Sequence, residues 1–396
     1  MEPEQVEAMH GSPSDRIEIV RSHRALEALA PEWDRVAGAI ELPMLSHAWV
    51  VACARTLYAE DELYVITVRQ RGVVAGIAPL AIRTHAGIAR LELIGVSSLY
   101  EPSGLVYESD AALDALLRGM LSARRPVQLS RVPSRAPIAS RWRSVAGARG
   151  VVLSARVAGT LAVPIESGWS GYLARLPARR RYDLRRARRH AEEHGTVGVR
   201  IHNARPDEVE AMFDEFVRIE AAGWKARNGS SLSQRHKLRA FFLEYVRLAS
   251  ASGVVRFSFL DVGGTPVAAQ LSVEVAERLW VLKIGYDESW RRCSPGWQLL
   301  AETMRHAFEN RLKSYELLGS DEPWLHRWEI EARELDTVAW YPASFSGMYG
   351  LAADFAERLR ARAASSWQVR TRGAAGAGGL AHGRHDTARP VDTEAH

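Results

Sequence analysis

Arg291 and Arg292 stand directly before Ser294-Pro295-Gly296. Serine is a favoured N-cap and proline a favoured first helical residue, so a helix is expected to start there. Leu300, Met304, Ala307 and Phe308 recur at i, i+4, i+7 and i+8 and give that helix one apolar face. A helix start leaves backbone N–H groups free and carries the positive end of the dipole, so it attracts anions. Two guanidiniums beside it add charge-assisted donors. A pyrophosphate suits such a loop; an ordinary capped helix is the other reading of the same residues.

Elements on both sides must hold this loop. Leu279 to Gly285 reads as an apolar strand, Asp287 to Cys293 as a polar loop, and Tyr315 to Leu318 as the returning strand. The unit sits in a larger repeated order. Helices are expected at Ala25–Val36 and Trp49–Leu57, followed by strands Leu63–Arg69, Val73–Ile82 and Ile88–Val96 with a turn at Arg71-Gly72. Helices at Val209–Ala222 and Leu238–Ala251 are again followed by strands, Val254–Asp261, Pro266–Val275 and Arg278–Gly285, with a turn at Gly263-Gly264. The recurrence suggests two copies of one α/β unit. A linker is expected near Val157–Trp169, followed by an arginine-rich helix, Leu176–Glu193. Residues up to about Asp15 and from Gly373 to His396 read as loose tails.

The composition, 47% hydrophobic and 25% charged over 396 residues, is that of a globular protein and excludes a collagen-like, coiled-coil or largely disordered chain. No apolar run approaches the ~18–20 residues that span a bilayer. Met1 to Arg16 has no apolar core of a secretory signal. Two cysteines, Cys53 and Cys293, are too few for a disulfide framework and suit a reducing cytoplasm. Acids and histidines do not cluster with metal-ligand spacing, so no metal is expected. The net charge of +5 is modest, but Arg175 to Arg189 holds eight arginines and one acid, Asp183. Such a patch attracts phosphates, nucleic acid or lipid head groups; a solvated helix face is the plainer reading.

The stretch Arg291-x-x-Ser294-x-Gly296-x-x-Leu299-Leu300 is similar to the acyl-CoA loop of the GNAT acyltransferase superfamily, Arg/Gln-x-x-Gly-x-Gly/Ala before an apolar helix. It departs at Ser294, where the superfamily usually has glycine. Three further stretches resemble the CelD-like and FemAB-like branch, often described as cellulose-biosynthesis acetyltransferases. They are Tyr286-Asp287-x7-Ser294-Pro295-Gly296, Gly319-Ser320-Asp321-Glu322-Pro323-Trp324 and Gly223-Trp224-Lys225-x-Arg227-Asn228-Gly229-Ser230-Ser231-Leu232. The resemblance implies a tandem GNAT-like α/β (α+β) fold, two mixed sheets flanked by helices. An N-terminal domain would span 16–160 and an acyltransferase domain 161–350, with a C-terminal helix at 351–372 and tails at 1–15 and 373–396. It implies acetyl-CoA or another acyl-CoA as donor. The strand Leu279 to Gly285, with Lys283, Ile284 and Gly285 at its end, would hold the pantetheine arm; the pyrophosphate would lie on the amides from Arg292 to Trp297, through Cys293, Ser294, Pro295 and Gly296, beside Arg291. Transfer would be direct, within one ternary complex, to an amine or hydroxyl of a small molecule or saccharide, such as a polysaccharide or cell-envelope precursor. A FemAB-like aminoacyltransferase using aminoacyl-tRNA is one alternative. A non-catalytic binding protein is another.

In that frame Asp321, then Glu322, are the candidate bases at a strand end beside the donor loop. Tyr286 is the candidate acid for the departing thiolate. Trp224, Lys225, Arg227 and Trp324 are expected on the acceptor side. Cys293, before a helix N-terminus, is expected to have a lowered pKa, which would open a covalent route; no His or acid is placed to support one. The arginine helix would contact donor phosphates, an anionic acceptor, or RNA.

Overall fold

The structure, a computed structural model, describes residues 6–10, 15–38, 41–223, 229–319, 322 and 324–360. The first half runs β1 (Val6–His10), β2 (Asp15–Val20), α1 (His23–Ala28), α2 (Ala30–Val36), α3 (His47–Leu57), β3 (Val65–Gln70), β4 (Val73–Ala78), β5 (Leu80–His85), β6 (Ile88–Leu93), α4 (Val96–Leu99), β7 (Val106–Tyr107), α5 (Asp110–Ser122), β8 (Val127–Pro133), α6 (Ile138–Ala146) and β9 (Gly150–Pro164). The second half runs α7 (Trp169–Arg175), α8 (Ala178–Glu192), β10 (Val197–Asn203), α9 (Val209–Ala221), α10 (His236–Ser250), β11 (Val255–Val262), β12 (Thr265–Val275), β13 (Arg278–Tyr286), α11 (Pro295–Glu309), β14 (Ser314–Leu317), β15 (Glu331–Pro342) and α12 (345–360).

Four expectations are corrected. Val6–His10, placed in a loose tail, pair antiparallel with β2, because an edge strand's backbone groups accept a partner of almost any composition. The expected linker is strand through Pro164, since β9 finds hydrogen-bonding partners on both sides. The strand Val73–Ile82 is two strands: Pro79 lacks an N–H, and the chain passes there from one sheet to the other. The expected C-terminal helix begins at residue 345, and the tail 373–396 lies outside the described residues.

A five-stranded sheet has the order β1-β2-β3-β4-β7 and a ten-stranded sheet the order β10-β11-β12-β13-β14-β9-β15-β8-β6-β5. The long sheet joins the halves by exchange. In the first half β6 pairs in parallel with β8, which is flanked by β15 from the second half. In the second half β13 pairs in parallel with β14, which is flanked by β9 from the first. Gly159 allows β9 and β15 to cross, because a Cβ there would stand 2.2 Å from the Arg333 carbonyl oxygen. The equivalence of the halves extends to side chains. Arg90, early in β6, donates to Gln128 of β8 at 2.9 Å; Arg278, at the start of β13, donates to Glu316 of β14 at 3.4 Å.

The apolar positions explain why the halves stay together. The corresponding helices α3 and α10 bury Trp49 against Phe241 and Tyr245, with ring centroids 4.9 and 4.8 Å apart and edge-to-face geometry. Such pairs add about 0.5–1.5 kcal/mol each beyond the area they bury. One continuous core holds Trp33, Trp49, Phe213, Phe216, Phe241 and Phe257 from both halves. No helix among the described residues is long and apolar enough to cross a membrane.

Candidate active site

The strand β13 bears a bulge: Leu271 lies opposite Lys283 and Ser272 opposite Val281, leaving Leu282 as the extra residue. Its parallel pairing with β14 stops at Val281 and Leu317. Beyond that point the two strands part, and β13 runs on through Lys283, Ile284 and Gly285 to Tyr286.

Helix α9 closes tightly on this edge. A Cβ on Gly285 would lie 2.8 Å from the Cα of Glu220, and one on Gly223 would lie 2.8 Å from the Tyr286 carbonyl oxygen. Lys283 turns its ammonium over the Phe242 ring, 5.1 Å from the centroid. Tyr286 packs over the start of α11, where a Cβ on Gly296 would stand 3.1 Å from the tyrosine ring.

The helix start itself departs from expectation. Ser294 occupies the N-cap position but sits in the left-handed region, φ 47° and ψ 51°, and its side chain makes no capping bond. A capping serine needs extended backbone so that its hydroxyl reaches the N2 or N3 amide. This also accounts for the glycine expected there in the resembling loop: the position demands positive φ, which glycine takes without steric cost. Of the amides expected around a pyrophosphate, Pro295 has none, and those of Ser294 and Trp297 already donate to the carbonyls of Arg291 and Ser294. Arg291 and Arg292 are exposed and lie in the last turn of a 3-10 helix, Glu288–Cys293. The Trp297 ring packs against Trp328 at 5.9 Å and lies under the Arg327 guanidinium at 5.2 Å.

Cys293 corrects a second expectation. The thiol is buried, and burial first, then the nearby Glu193 carboxylate, push its pKa up instead of down. A thiol held protonated is a poor nucleophile.

The arginine helix α8 docks beside this loop. Gln298 donates to the Ala187 carbonyl at 3.1 Å and to the Cys293 carbonyl at 2.7 Å, tying α8 to the start of α11. Two of the arginines are structural. Arg181 donates to the carbonyls of Ala174 and Leu176 at 2.8 and 2.6 Å, and Arg188 to Glu192 at 2.8 Å and to the Val197 carbonyl at 2.6 Å. Among the described residues Arg179, Arg180, Arg185 and Arg186 make no ion pair.

The remaining expected site residues fare unevenly. Asp321, Trp224, Lys225 and Arg227 lie outside the described residues. Glu322 is exposed, and its carboxylate accepts a hydrogen bond from the indole of Trp324. The structure also gathers His85, Asp354 and Glu357, which are far apart in the chain. Asp354 is already engaged by Arg90 at 2.9 and 3.0 Å and by the Tyr341 hydroxyl at 2.5 Å.

Two acids went unnoticed in the sequence. Glu220 is buried and accepts the Leu232 amide at 2.8 Å, which anchors the loop following α9 beside β13. It follows Phe213, Phe216 and Val217 at i+7, i+4 and i+3, so an acid on an apolar stripe was its available signal. Glu101 comes from the first half. Burial pushes its carboxyl up to about 7, against the opposing pull of Lys283 and Arg131, and its Oε2 has no hydrogen-bond partner. Nothing in Tyr100-Glu101-Pro102 announces that placement.

Two α/β units, each with a parallel strand pair and a helix between, joined by exchanged strands, define a tandem GNAT fold. Residues 178–325, from α8 to the turn after β14, match the family described as "Acetyltransferase (GNAT) domain". Two solved structures share the fold at a TM-score of 0.52. One is FemX, at 13% identity over 83% of this chain and 96% of that one. The other is the C-terminal domain (DUF2156) of a putative lysylphosphatidylglycerol synthetase from Agrobacterium fabrum, at 9% identity over the same shares. No curated protein sequence matches the chain.

Proposed function

We propose that this chain transfers an acetyl or other acyl group from an acyl-CoA to an amine or hydroxyl acceptor, in one ternary complex built on the second half. The observation that carries this reading is the parting of β13 from β14 after Val281 and Leu317, next to a helix start that its own serine leaves uncapped. The pantetheine arm would pair along Lys283, Ile284 and Gly285. The pyrophosphate would lie near Gly296 with Arg291 and Arg292 as charged donors. Proximity supplies a large part of the rate in direct transfer, since both reactants are held before the bond forms. Asp321 and Glu322 are the proposed bases and Tyr286 the proposed acid. Trp224, Lys225, Arg227 and Trp324 would face the acceptor. A small-molecule or saccharide acceptor from polysaccharide or cell-envelope synthesis is what the resemblance to CelD-like proteins implies, and the two cysteines suit a cytoplasmic setting.

A second reading, an aminoacyltransferase drawing on aminoacyl-tRNA, is favoured by one observation: Arg179, Arg180, Arg185 and Arg186 make no ion pair among the described residues, on a helix tied to the donor loop. Release of CoA thiol from acetyl-CoA, with a panel of amine, sugar and peptide acceptors, separates the readings. Acceptor-dependent release lost in Asp321→Ala or Glu322→Ala supports the first. No release with any acceptor, alongside tRNA binding that is lost when those four arginines become alanine, supports the second.

A further inference from the structure

Helix α12 packs on the body of the protein through the side that its composition would put in water. Its buried positions are Gly347, Gly350 and Asp354, spaced i, i+3 and i+7. A Cβ on Gly347 would stand 2.0 Å from the Pro342 carbonyl oxygen, and one on Gly350 would stand 3.3 Å from Cγ of Pro126. Asp354 adds the ion pair with Arg90. None of the large apolar side chains of α12 is buried.

Those side chains are Phe345, Met348, Tyr349, Phe355 and Leu359, all exposed, with Phe345 at 89% and Phe355 at 62%. At 3.6 residues per turn they fall on one stripe, opposite Gly347, Gly350 and Asp354. Half of the large apolar side chains exposed among the described residues stand on this one helix. Single exposed apolar residues are ordinary, whereas a contiguous stripe marks a surface that meets a partner.

Charge selects the partner. The two acids of α12 are already engaged, Asp354 by Arg90 and Glu357 by His85 at 2.8 Å. Arg358 and Arg360 are exposed at the end of the helix. The sequence runs on through Arg362, Arg370 and Arg372, with no acid between Glu357 and Asp386. At the start of the helix, Ala343 donates to the carbonyl of the exposed Arg149 at 2.9 Å. The exposed Arg124 and Arg125 precede Pro126, on which Gly350 packs. An apolar stripe bordered by arginines suits the interface of an anionic bilayer: rings enter the boundary of head groups and acyl chains, and guanidiniums meet phosphates. A second copy would bring the same arginines and no free acid of α12 to meet them. Residues 361–396 hold only Trp367, Val369, Leu380 and Val391 as large apolar side chains, too few to cover the stripe.

We propose that α12 docks this protein on an anionic lipid bilayer. The helix lies in the plane of the surface, with its apolar stripe in the interface and its arginines over the lipid phosphates. Docking of this kind needs neither an acyl donor nor an acceptor.

Co-sedimentation of the purified full chain with vesicles tests the docking, and its outcome is separate from that of the acyl-transfer reading. Two vesicles serve: phosphatidylcholine alone, and an equal mixture of phosphatidylcholine and phosphatidylglycerol. Binding to the mixed vesicles is expected, falling as sodium chloride is raised, with weaker binding to phosphatidylcholine. Phe345→Ser with Phe355→Ser is expected to weaken binding by about tenfold or more at an unchanged melting temperature, since both rings are exposed. Arg358→Gln with Arg360→Gln is expected to reduce the preference for the mixed vesicles and keeps the test open should the first variant fail to fold. No binding to the mixed vesicles, equal binding to both vesicles, or binding undiminished in both variants would overturn the proposal. A dimer of the unaltered chain that Phe345→Ser with Phe355→Ser makes monomeric would overturn it too, by giving the stripe to a second copy.

Discussion

The two units begin their central helices in opposite ways. In the first, Ser109 is extended, its hydroxyl accepts the Ala112 amide, and Asp110 stands in the first turn of α5. That helix start is satisfied by its own residues and carries a negative charge. In the second, Ser294 is left-handed, caps nothing, and is followed by no acid in the first turn of α11, while Arg291 and Arg292 precede it. One repeated architecture has therefore capped one helix start with its own side chain and left the other without a side-chain cap. The charges between the parallel strands differ too. The second unit buries a carboxylate, Glu316, where the first has a half-buried neutral amide, Gln128.

That last difference gives the largest expected effect. Glu316 is 1% exposed and accepts from Ser314, Arg278 and Arg333 at 2.6, 3.4 and 3.2 Å. Glu316→Ala leaves two guanidiniums without their buried counter-charge and is expected to cost about 3–5 kcal/mol in urea denaturation. Gln128→Ala, at the equivalent place, removes a neutral amide from Arg90, whose charge Asp354 still balances, and is expected to cost about 1 kcal/mol. Equal losses would break the comparison.

The two serines come next. Ser109→Ala removes a working cap and is expected to destabilise by about 1 kcal/mol. Ser294→Gly relieves a left-handed backbone and is expected to stabilise by about 1 kcal/mol, provided the loop keeps its conformation. Shifts of the same sign in melting experiments would contradict the contrast between the two helix starts.

A third effect is a pH dependence from Glu101, whose carboxyl burial raises to about 7 from an ordinary 4.5. The folded chain then holds a proton that the unfolded chain has lost. The resulting stability is fully present below about 4.5 and is lost as the pH rises through about 7. Glu101→Gln is expected to flatten that part of the stability–pH curve. An unchanged slope would show that Glu101 ionises normally.

Much of this was legible in the chain because it is local. Helices such as Val209–Ala221 and the paired strands around Gly263-Gly264 are written in apolar spacing and turn residues. The loop from Arg291 to Gly296 was visible for the same reason. What escaped depends on partners distant in sequence. Nothing in Gly150–Pro164 names β14 and β15 as its neighbours, so its second half reads as a linker until those partners are in place. Ser294 looked like a cap because residue type is visible and φ is not. Glu101 acquires meaning only when Arg131 and a second-half lysine close around it.

The central claim is that the open helix start of the second half, and not its closed counterpart, holds the donor's phosphates. Calorimetric titration with acetyl-CoA tests it on three proteins: the unaltered chain, Gly296→Glu, and Ala111→Glu at the same helical position of α5. Gly296→Glu puts a carboxylate at the open helix start, where a Cβ already stands 3.1 Å from the Tyr286 ring. Saturable binding lost in Gly296→Glu and retained in Ala111→Glu is the predicted result. No binding by the unaltered chain, or binding undiminished in Gly296→Glu, would contradict it.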